Sequence, residues 1–217
     1  MDSVFRSFLR SLAPAAGALA GLTLLTGIAY PALVTGLAAV LFPRQAGGSL
    51  LVVDGTTVGS SLVGQQFTSP AYLWPRPSAT GPAPYTALSA DNAFGSSGSN
   101  LGPGNPALVE AVKARAAALR ASLPPGSHAL DAEVPSDLVL ASASGLDPHI
   151  SPHAAAWQID RIAAARKASP EAVRAVIERH REERTWGILG EPRINVLLVN
   201  LDLDRELPLP QGARVAP

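Results

Sequence analysis

The hydrophobic pattern changes character once along the chain. From Ser11 to Pro43 no residue is charged, and the run APAAGALAGLTLLTGIAYPALVTGLAAVLF would be apolar on every side of a helix. Beyond Arg44, apolar residues alternate with polar ones or recur at helical spacing. A spanning helix needs about 20 apolar residues, because the hydrocarbon core is about 30 Å thick and each residue rises about 1.5 Å. In a soluble protein such a helix would need burial on all faces, which a small domain rarely provides. The stretch therefore predicts one transmembrane helix. It exceeds the usual core of a cleaved signal peptide, and no small-x-small cleavage site closes it.

Pro31 is expected to kink or end the helix, which puts the bilayer segment at 12–34, between a terminus at 1–11 and a linker at 35–49. Tyr30 then stands where an interfacial aromatic is placed. Arg6 and Arg10 precede the helix and only Arg44 follows closely, which favours a cytoplasmic N-terminus and an external remainder. Gly17 and Gly21 form a GxxxG pair beside Ala13, Ala16 and Ala20. Such a strip lets a second helix approach closely in lipid, so these glycines are candidate partner contacts.

The rest of the chain predicts an α+β domain over 50–205 and a tail at 206–217. Leu50–Val53 followed by Asp54-Gly55 reads as a strand and turn, with a second strand within Val58–Gln66. Residues 69–105 are irregular, but the interleaved Phe67, Tyr72, Trp74, Tyr85 and Phe94 supply burial that disordered segments lack. Asn105-Pro106, Ser151-Pro152 and Ser169-Pro170 each place a capping side chain before a proline suited to the first helical turn. Leu108, Val112, Ala116 and Leu119 share one face of the first helix, which Pro124-Pro125-Gly126 stops. On the second, Ala155, Ile159, Ile162 and Ala163 point inward, with Arg161, Arg166 and Lys167 outward; Gln158 and Asp160 are expected to face solvent. Val173, Val176, Ile177 and His180 share a face of the third. Asp137–Ala141 reads as a strand, and in INVLLVNLDLD alternation puts Asn195, Leu197, Val199, Leu201 and Leu203 on one side of a last strand.

Composition removes several functions. About 170 residues follow the helix, enough for one domain with a core. Formal net charge is zero, so no basic field is available for nucleic acid and no polybasic run for anionic lipid. There is no cysteine, which excludes disulfides, thiolate metal sites and a cysteine nucleophile.

Candidate chemistry gathers in SASGLDPHISPH, residues 142–153. His149 and His153 stand four apart beside Asp147, but Pro148 and Pro152 start the helix too late to put both rings on one face. No metal site is expected, and the stretch reads as a turn that caps the next helix. The loop FGSSGSNLGPGNP offers backbone N–H groups, yet no Lys-Ser or Lys-Thr follows a glycine loop, so a P-loop is absent. GxSxG and Ser-x-x-Lys are absent too. Arg76, held between Pro75 and Pro77, is suited to an anion or a partner carboxylate, or is a solvated loop residue. No pair of carboxylates is placed for general acid–base work.

WPRPSA, GSNLGPGNP, SASGLDPHISP, QIDRIAAAR and GEPRINVLLVNLDLD follow one another after the apolar helix. Together they resemble the C subunit of Kdp-type potassium-transporting ATPases, the KdpC family, from about Arg10 to Asp204. The chain departs from the familiar pattern at Ser97, spelling SSGSN where SGGSN is usual, and in a proline-rich stretch at Thr80–Pro84. The resemblance implies a non-catalytic accessory subunit in a bacterial plasma membrane. Its partners would be a potassium-translocating channel-like subunit, a P-type ATPase subunit that hydrolyses ATP, and a very small membrane peptide. It also implies no firmly bound cofactor, and a chaperone role in which a shared ATP is held more tightly by the ATPase subunit. Carried over, that role falls on Ser144, Gly145, Asp147 and Gln158. An external domain would not meet cytoplasmic ATP; it would instead cap the potassium entrance or stabilise the channel-like subunit. The competing class is a membrane-anchored external hydrolase using a metal held by Asp147, His149 and His153.

Overall fold

A computed structural model describes residues 2–87 and 95–209; Phe94 and most of the 206–217 tail lie outside them. The chain forms two units that divide at Leu50. In the first, α1 (Asp2–Leu24) runs through a π-helical turn at Leu25–Ala29 into α2 (Tyr30–Leu41). Pro31 therefore does not end the helix. Proline lacks an N–H and its ring crowds the preceding turn. The wider π turn just before it accommodates this, with Tyr30 N–H donating to Leu25 O, five residues back. The apolar part extends over Phe8–Leu41, 34 residues with none of its best window buried. At 1.5 Å per residue that is about 51 Å, long enough by length and composition to cross a bilayer. Phe42 leaves helical geometry, and a single turn, α3 (Pro43–Ala46), follows.

The second unit opens with the expected hairpin of β1 (Leu50–Val53) and β2 (Thr56–Ser60). Its turn is Asp54-Gly55 with both φ positive, the geometry whose twist matches paired strands. After a long irregular segment come α4 (Pro106–Ala121), α5 (Ser136–Val139) and β3 (His149–Ile150). Then α6 (Pro152–Trp157), α7 (Ile159–Arg166) and α8 (Pro170–Arg179) follow in short steps. The chain closes on β4 (Arg181–Glu182), β5 (Arg193–Asn195) and α9 (Val196–Glu206). β5 is the middle strand of an antiparallel sheet, with His149 opposite Asn195 and Arg181 opposite Ile194. The α+β class is as expected. All three cap-then-proline starts are helix N-termini, with Asn105, Ser151 and Ser169 side chains accepting from Ala107, Ala154 and Ala172 N–H.

Four expected elements differ. The helix expected to run on from Pro152 is broken at Gln158 into α6 and α7. Asp137–Ala141 is not a strand: Ser136–Val139 makes one helical turn after Pro135, burying Leu138 and Val139. β2 stops at Ser60, so most of Val58–Gln66 is not strand. INVLLVNLDLD is a strand only through Asn195, whose side chain then accepts from Leu198 N–H and starts α9. Val196, Leu197, Val199, Asn200 and Leu203 are buried at helical spacing on one face of α9, while Asp204, Arg205 and Glu206 are exposed.

What occupies the centre is not a strand but the irregular segment from Ser69 to Pro77. Leu73 is fully buried, Phe67 and Ala71 nearly so, and Tyr72 and Trp74 pack against the core. Buried backbone must still find partners. Five successive carbonyls do so through side chains of α7, α9 and the residue before α7. Pro70 O and Tyr72 O accept from Arg161 Nη1 at 2.6 and 3.0 Å, and Ala71 O from Arg166 Nε at 2.7 Å. Leu73 O accepts from Asn200 Nδ2 at 3.0 Å and Trp74 O from Gln158 Nε2 at 3.2 Å. In return, Leu73 and Trp74 N–H donate to Asn200 Oδ1 and Gln158 Oε1 at 2.7 and 2.8 Å. Arg161 and Arg166 are thus buried, not outward, at 2% and 4% exposure. Their guanidiniums replace the ladder that a neighbouring strand would have supplied. The Arg161 guanidinium also stacks on Trp74, 3.8 Å from the ring centre, and Arg166 ion-pairs with Asp204 at 2.8 Å.

β4 and β5 are the base of an arm. Every residue from Arg181 to Glu191 is exposed, and the arm closes through a second turn in which Thr185 pairs with Leu189.

Candidate functional site

The stretch Ser142–His149 is built into the fold by the loops around it. Gly64 N–H donates to Leu146 O at 2.9 Å, Ser96 Oγ to Ser144 O at 2.8 Å, and Ser78 Oγ to Gly145 O at 2.7 Å. Gly145 has a φ of +67°, and a Cβ there would stand 2.6 Å from Ser97 O and 2.5 Å from Thr80 Cγ2. Only glycine fits both the backbone and the space. Ser144 Oγ accepts from Leu146 N–H at 3.1 Å, closing the turn locally.

Asp147 stands at the end of this stretch, and both of its oxygens are engaged. Oδ2 accepts from Arg76 Nη1 at 3.1 Å; Oδ1 accepts from His149 N–H at 3.0 Å and lies 3.7 Å from its Nδ1. Burial pushes the carboxyl up, but His149, through ring and backbone, and the Arg76 guanidinium together hold it below the ordinary carboxylate value. Tyr85 steadies this arrangement: its hydroxyl donates to Arg76 O at 2.7 Å. Burial, with Asp147 nearby, pushes the Tyr85 hydroxyl well above the ordinary phenol value, so it stays a donor.

Asp147, Arg76, His149 and His153 line an open cavity of about 520 Å³ together with Asp137 and Arg193. Its charges are largely spent internally. Asp137 Oδ2 accepts from Ser151 N–H at 2.7 Å, and Arg193 pairs with Glu182 at 2.8 Å. Arg76, set rigidly between two prolines, takes its carboxylate from Asp147 of its own chain. Among the described residues, no group of three His, Cys, Asp or Glu is arranged to hold a metal.

The four residues singled out for a nucleotide do not share this cavity. Asp147 lines it; Ser144 and Gly145 do not, and pack instead against the 78–80 and 96–97 loops. Gln158 is fully buried. Its amide oxygen accepts from Trp74 N–H and Arg161 Nη2, and its nitrogen donates to Trp74 O and Ala154 O, which uses its four hydrogen-bonding places. Asp160 is not free in solvent either: Oδ2 accepts from Ser127 Oγ at 2.7 Å and His128 N–H at 3.0 Å. The roles of Arg161, Arg166 and Asn200 do not show in the sequence pattern, although arginines spaced among the apolar residues of a short helix are the available signal.

The contacts of Asp147 with His149 and Arg76 predict a pH dependence. A carboxyl whose value is lowered by folding contributes stability that is present above its ordinary value, near 3.9, and lost as pH falls through the folded value. The stability difference between wild type and Asp147→Asn should therefore be present at neutral pH and vanish on acidification below the carboxylate range. Denaturant melts of both proteins across pH check this; a difference that persists in acid would assign the effect to packing.

One apolar helix long enough to cross a bilayer, joined to a separate α+β unit, defines the class as a protein with one candidate membrane span. Comparison with known proteins makes the class specific. Residues 12–205 match the KdpC family, described as K+-transporting ATPase, c chain. The potassium-transporting ATPase KdpC subunit of Dechloromonas aromatica is 55% identical over 193 residues, 89% of this chain and 96% of that one. That of Variovorax paradoxus is 56% identical over 191 residues, 88% and 94% of the two chains. That of Herpetosiphon aurantiacus is 54% identical over 200 residues, 92% and 97%. The chain belongs to the KdpC family, and so to the membrane-associated subunits of potassium transport.

Proposed function

We propose that this chain is the non-catalytic accessory subunit of an ATP-driven potassium importer in a bacterial plasma membrane, and that it assembles and stabilises the complex. The observation that carries this reading is the family match, which runs unbroken from the apolar helix through the domain. Its partners would be a channel-like subunit, the P-type ATPase subunit that carries the catalytic residues, and a small membrane peptide. The N-terminus is cytoplasmic and the domain external, as the basic flank of Arg6 and Arg10 favours. A chaperone role through shared ATP is the finer alternative. The dispersal of Ser144, Gly145, Asp147 and Gln158, and the engaged amide of Gln158, favour assembly over it. The paired state of Asp147 likewise gives the metal-hydrolase reading no support.

Gly17 and Gly21 provide the test. A Cβ at either meets nothing within 4 Å in the chain itself, so Gly17→Leu with Gly21→Leu adds volume only where a partner helix would pack. Overpacking costs about 1–3 kcal/mol, roughly one to two decades in association. Protease added outside spheroplasts should digest the domain of wild type and double variant alike, showing both inserted. In mild detergent the wild type should hold the other subunits and the variant should lose them. Protection from external protease would reverse the orientation, and a wild type that holds no other subunit would overturn the function.

A further inference from the structure

The arm from Arg181 to Glu191 carries an apolar tip that the domain does not cover. Trp186, Ile188 and Leu189 are 85%, 74% and 52% exposed. The tip is nevertheless fixed. Thr185 N–H donates to Leu189 O at 2.9 Å, Leu189 N–H returns to Thr185 O at 3.0 Å, and Gly187 N–H donates to Arg184 O at 2.9 Å. Trp186 is held at a φ of +55°, in the left-handed region that a bulky residue rarely adopts, followed by Gly187 at +77°. A strained turn that projects its largest side chain into water is arranged for something outside the domain.

The charges of the arm narrow what that is. Arg184 pairs with Glu191, Arg193 with Glu182, and Arg181 with Glu183, at 2.6, 2.8 and 2.7 Å. The two arginines and three glutamates of the arm, with Arg193 at its base, balance one another. A surface that seeks anionic lipid needs a basic excess, which is missing. A second copy paired about a two-fold axis through this tip would need a self-complementary face, and a convex knob does not fit another knob. A neutral knob bearing tryptophan fits a concave apolar socket on a protein, with the indole N–H reaching an acceptor at its mouth. We infer that the Trp186–Leu189 tip docks in an apolar socket on another subunit of the same ATPase. This rests on the accessory-subunit reading above.

The test titrates the full chain, in mild detergent, into a complex purified without it. Trp186→Asn with Ile188→Ser suits the turn, because asparagine accepts the left-handed backbone, and removes nothing that packs inside the domain. The variant should melt as wild type does, but its Kd for the complex should rise at least about 30-fold, the mark of a central interface residue. An unchanged Kd overturns the docking proposal alone, whereas a wild type that does not bind overturns the accessory-subunit reading as well. Wild-type self-association lost in the variant would assign the tip to a second copy and overturn the proposal. The chain alone in bilayers of brominated lipid should show no quenching of Trp186 emission, taken as the difference from Trp186→Phe. Quenching would place the tip in lipid and overturn the proposal.

Discussion

Replacing Asn200 by leucine should destabilise the domain by roughly 2–5 kcal/mol while leaving its core volume nearly filled. Asn200 lies on α9 and is 2% exposed, and its partner Leu73 is fully buried. The amide accepts from Leu73 N–H at 2.7 Å and donates to Leu73 O at 3.0 Å. It makes both bonds that one residue of an adjacent strand would make. Leucine supplies similar bulk but neither bond, and no solvent reaches the two backbone groups left behind. Each buried donor or acceptor without a partner costs about 1–3 kcal/mol. Arg205→Ala on the same helix is the matched control. Arg205 pairs with Asp202, but its side chain is 74% exposed, and such pairs contribute at most about 1 kcal/mol. Denaturant unfolding of the full chain in detergent, followed by tryptophan emission, measures both. A loss under about 1 kcal/mol for Asn200→Leu would mean that the 69–77 segment can relax to water without it.

The same segment explains which parts of the fold were legible in the sequence. Helix starts were legible because they are local: Asn105-Pro106, Ser151-Pro152 and Ser169-Pro170 carry their own caps, and Asp54-Gly55 its own turn. The interior was not. A helix read on its own places arginines outward, since a guanidinium is costly to bury without partners. Arg161 and Arg166 find theirs about ninety residues earlier, in backbone with no strand signal, and nothing near them in sequence says so. The alternation of Leu197, Val199, Leu201 and Leu203 misled for a related reason. That register omits Val196 and Asn200, which α9 also buries, Asn200 against Leu73 far away in sequence.

The site was half legible. The SASGLDPH stretch and Arg76 stand out in the sequence, and the structure joins them through Asp147. In the sequence Gln158 and Asp160 read as solvent-facing residues. In the fold both are fastened to distant backbone, Gln158 to Trp74 and Asp160 to His128. Polarity is visible in a sequence; the partner that consumes it is not.

Arg161 is the residue on which most of this converges, and Arg161→Met should cost about 3–5 kcal/mol. Among the described residues it has no carboxylate partner, although burial lowers its guanidinium from the ordinary arginine range. Its charge rests instead on Pro70 O, Tyr72 O, the Gln158 amide oxygen and the face of Trp74. Methionine keeps an unbranched stem in the same channel, so little packing is lost. What goes is a set of hydrogen bonds to a charged donor, each contributing about 1.5–3 kcal/mol, and a desolvated cation–π contact of about 2 kcal/mol. Relief from burying the cation offsets part of that sum, which is why the expected loss is smaller than the total. Arg161→Lys separates the terms: it keeps the charge but lacks the planar fork that reaches two carbonyls while stacking on an indole. Lysine should therefore recover less than half of the loss. Because the guanidinium covers Trp74, both variants should also shift tryptophan emission in the folded state. Full stability in Arg161→Met would show that the Pro70 and Tyr72 carbonyls find other donors, and that the segment is held by Asn200, Gln158 and Arg166 alone.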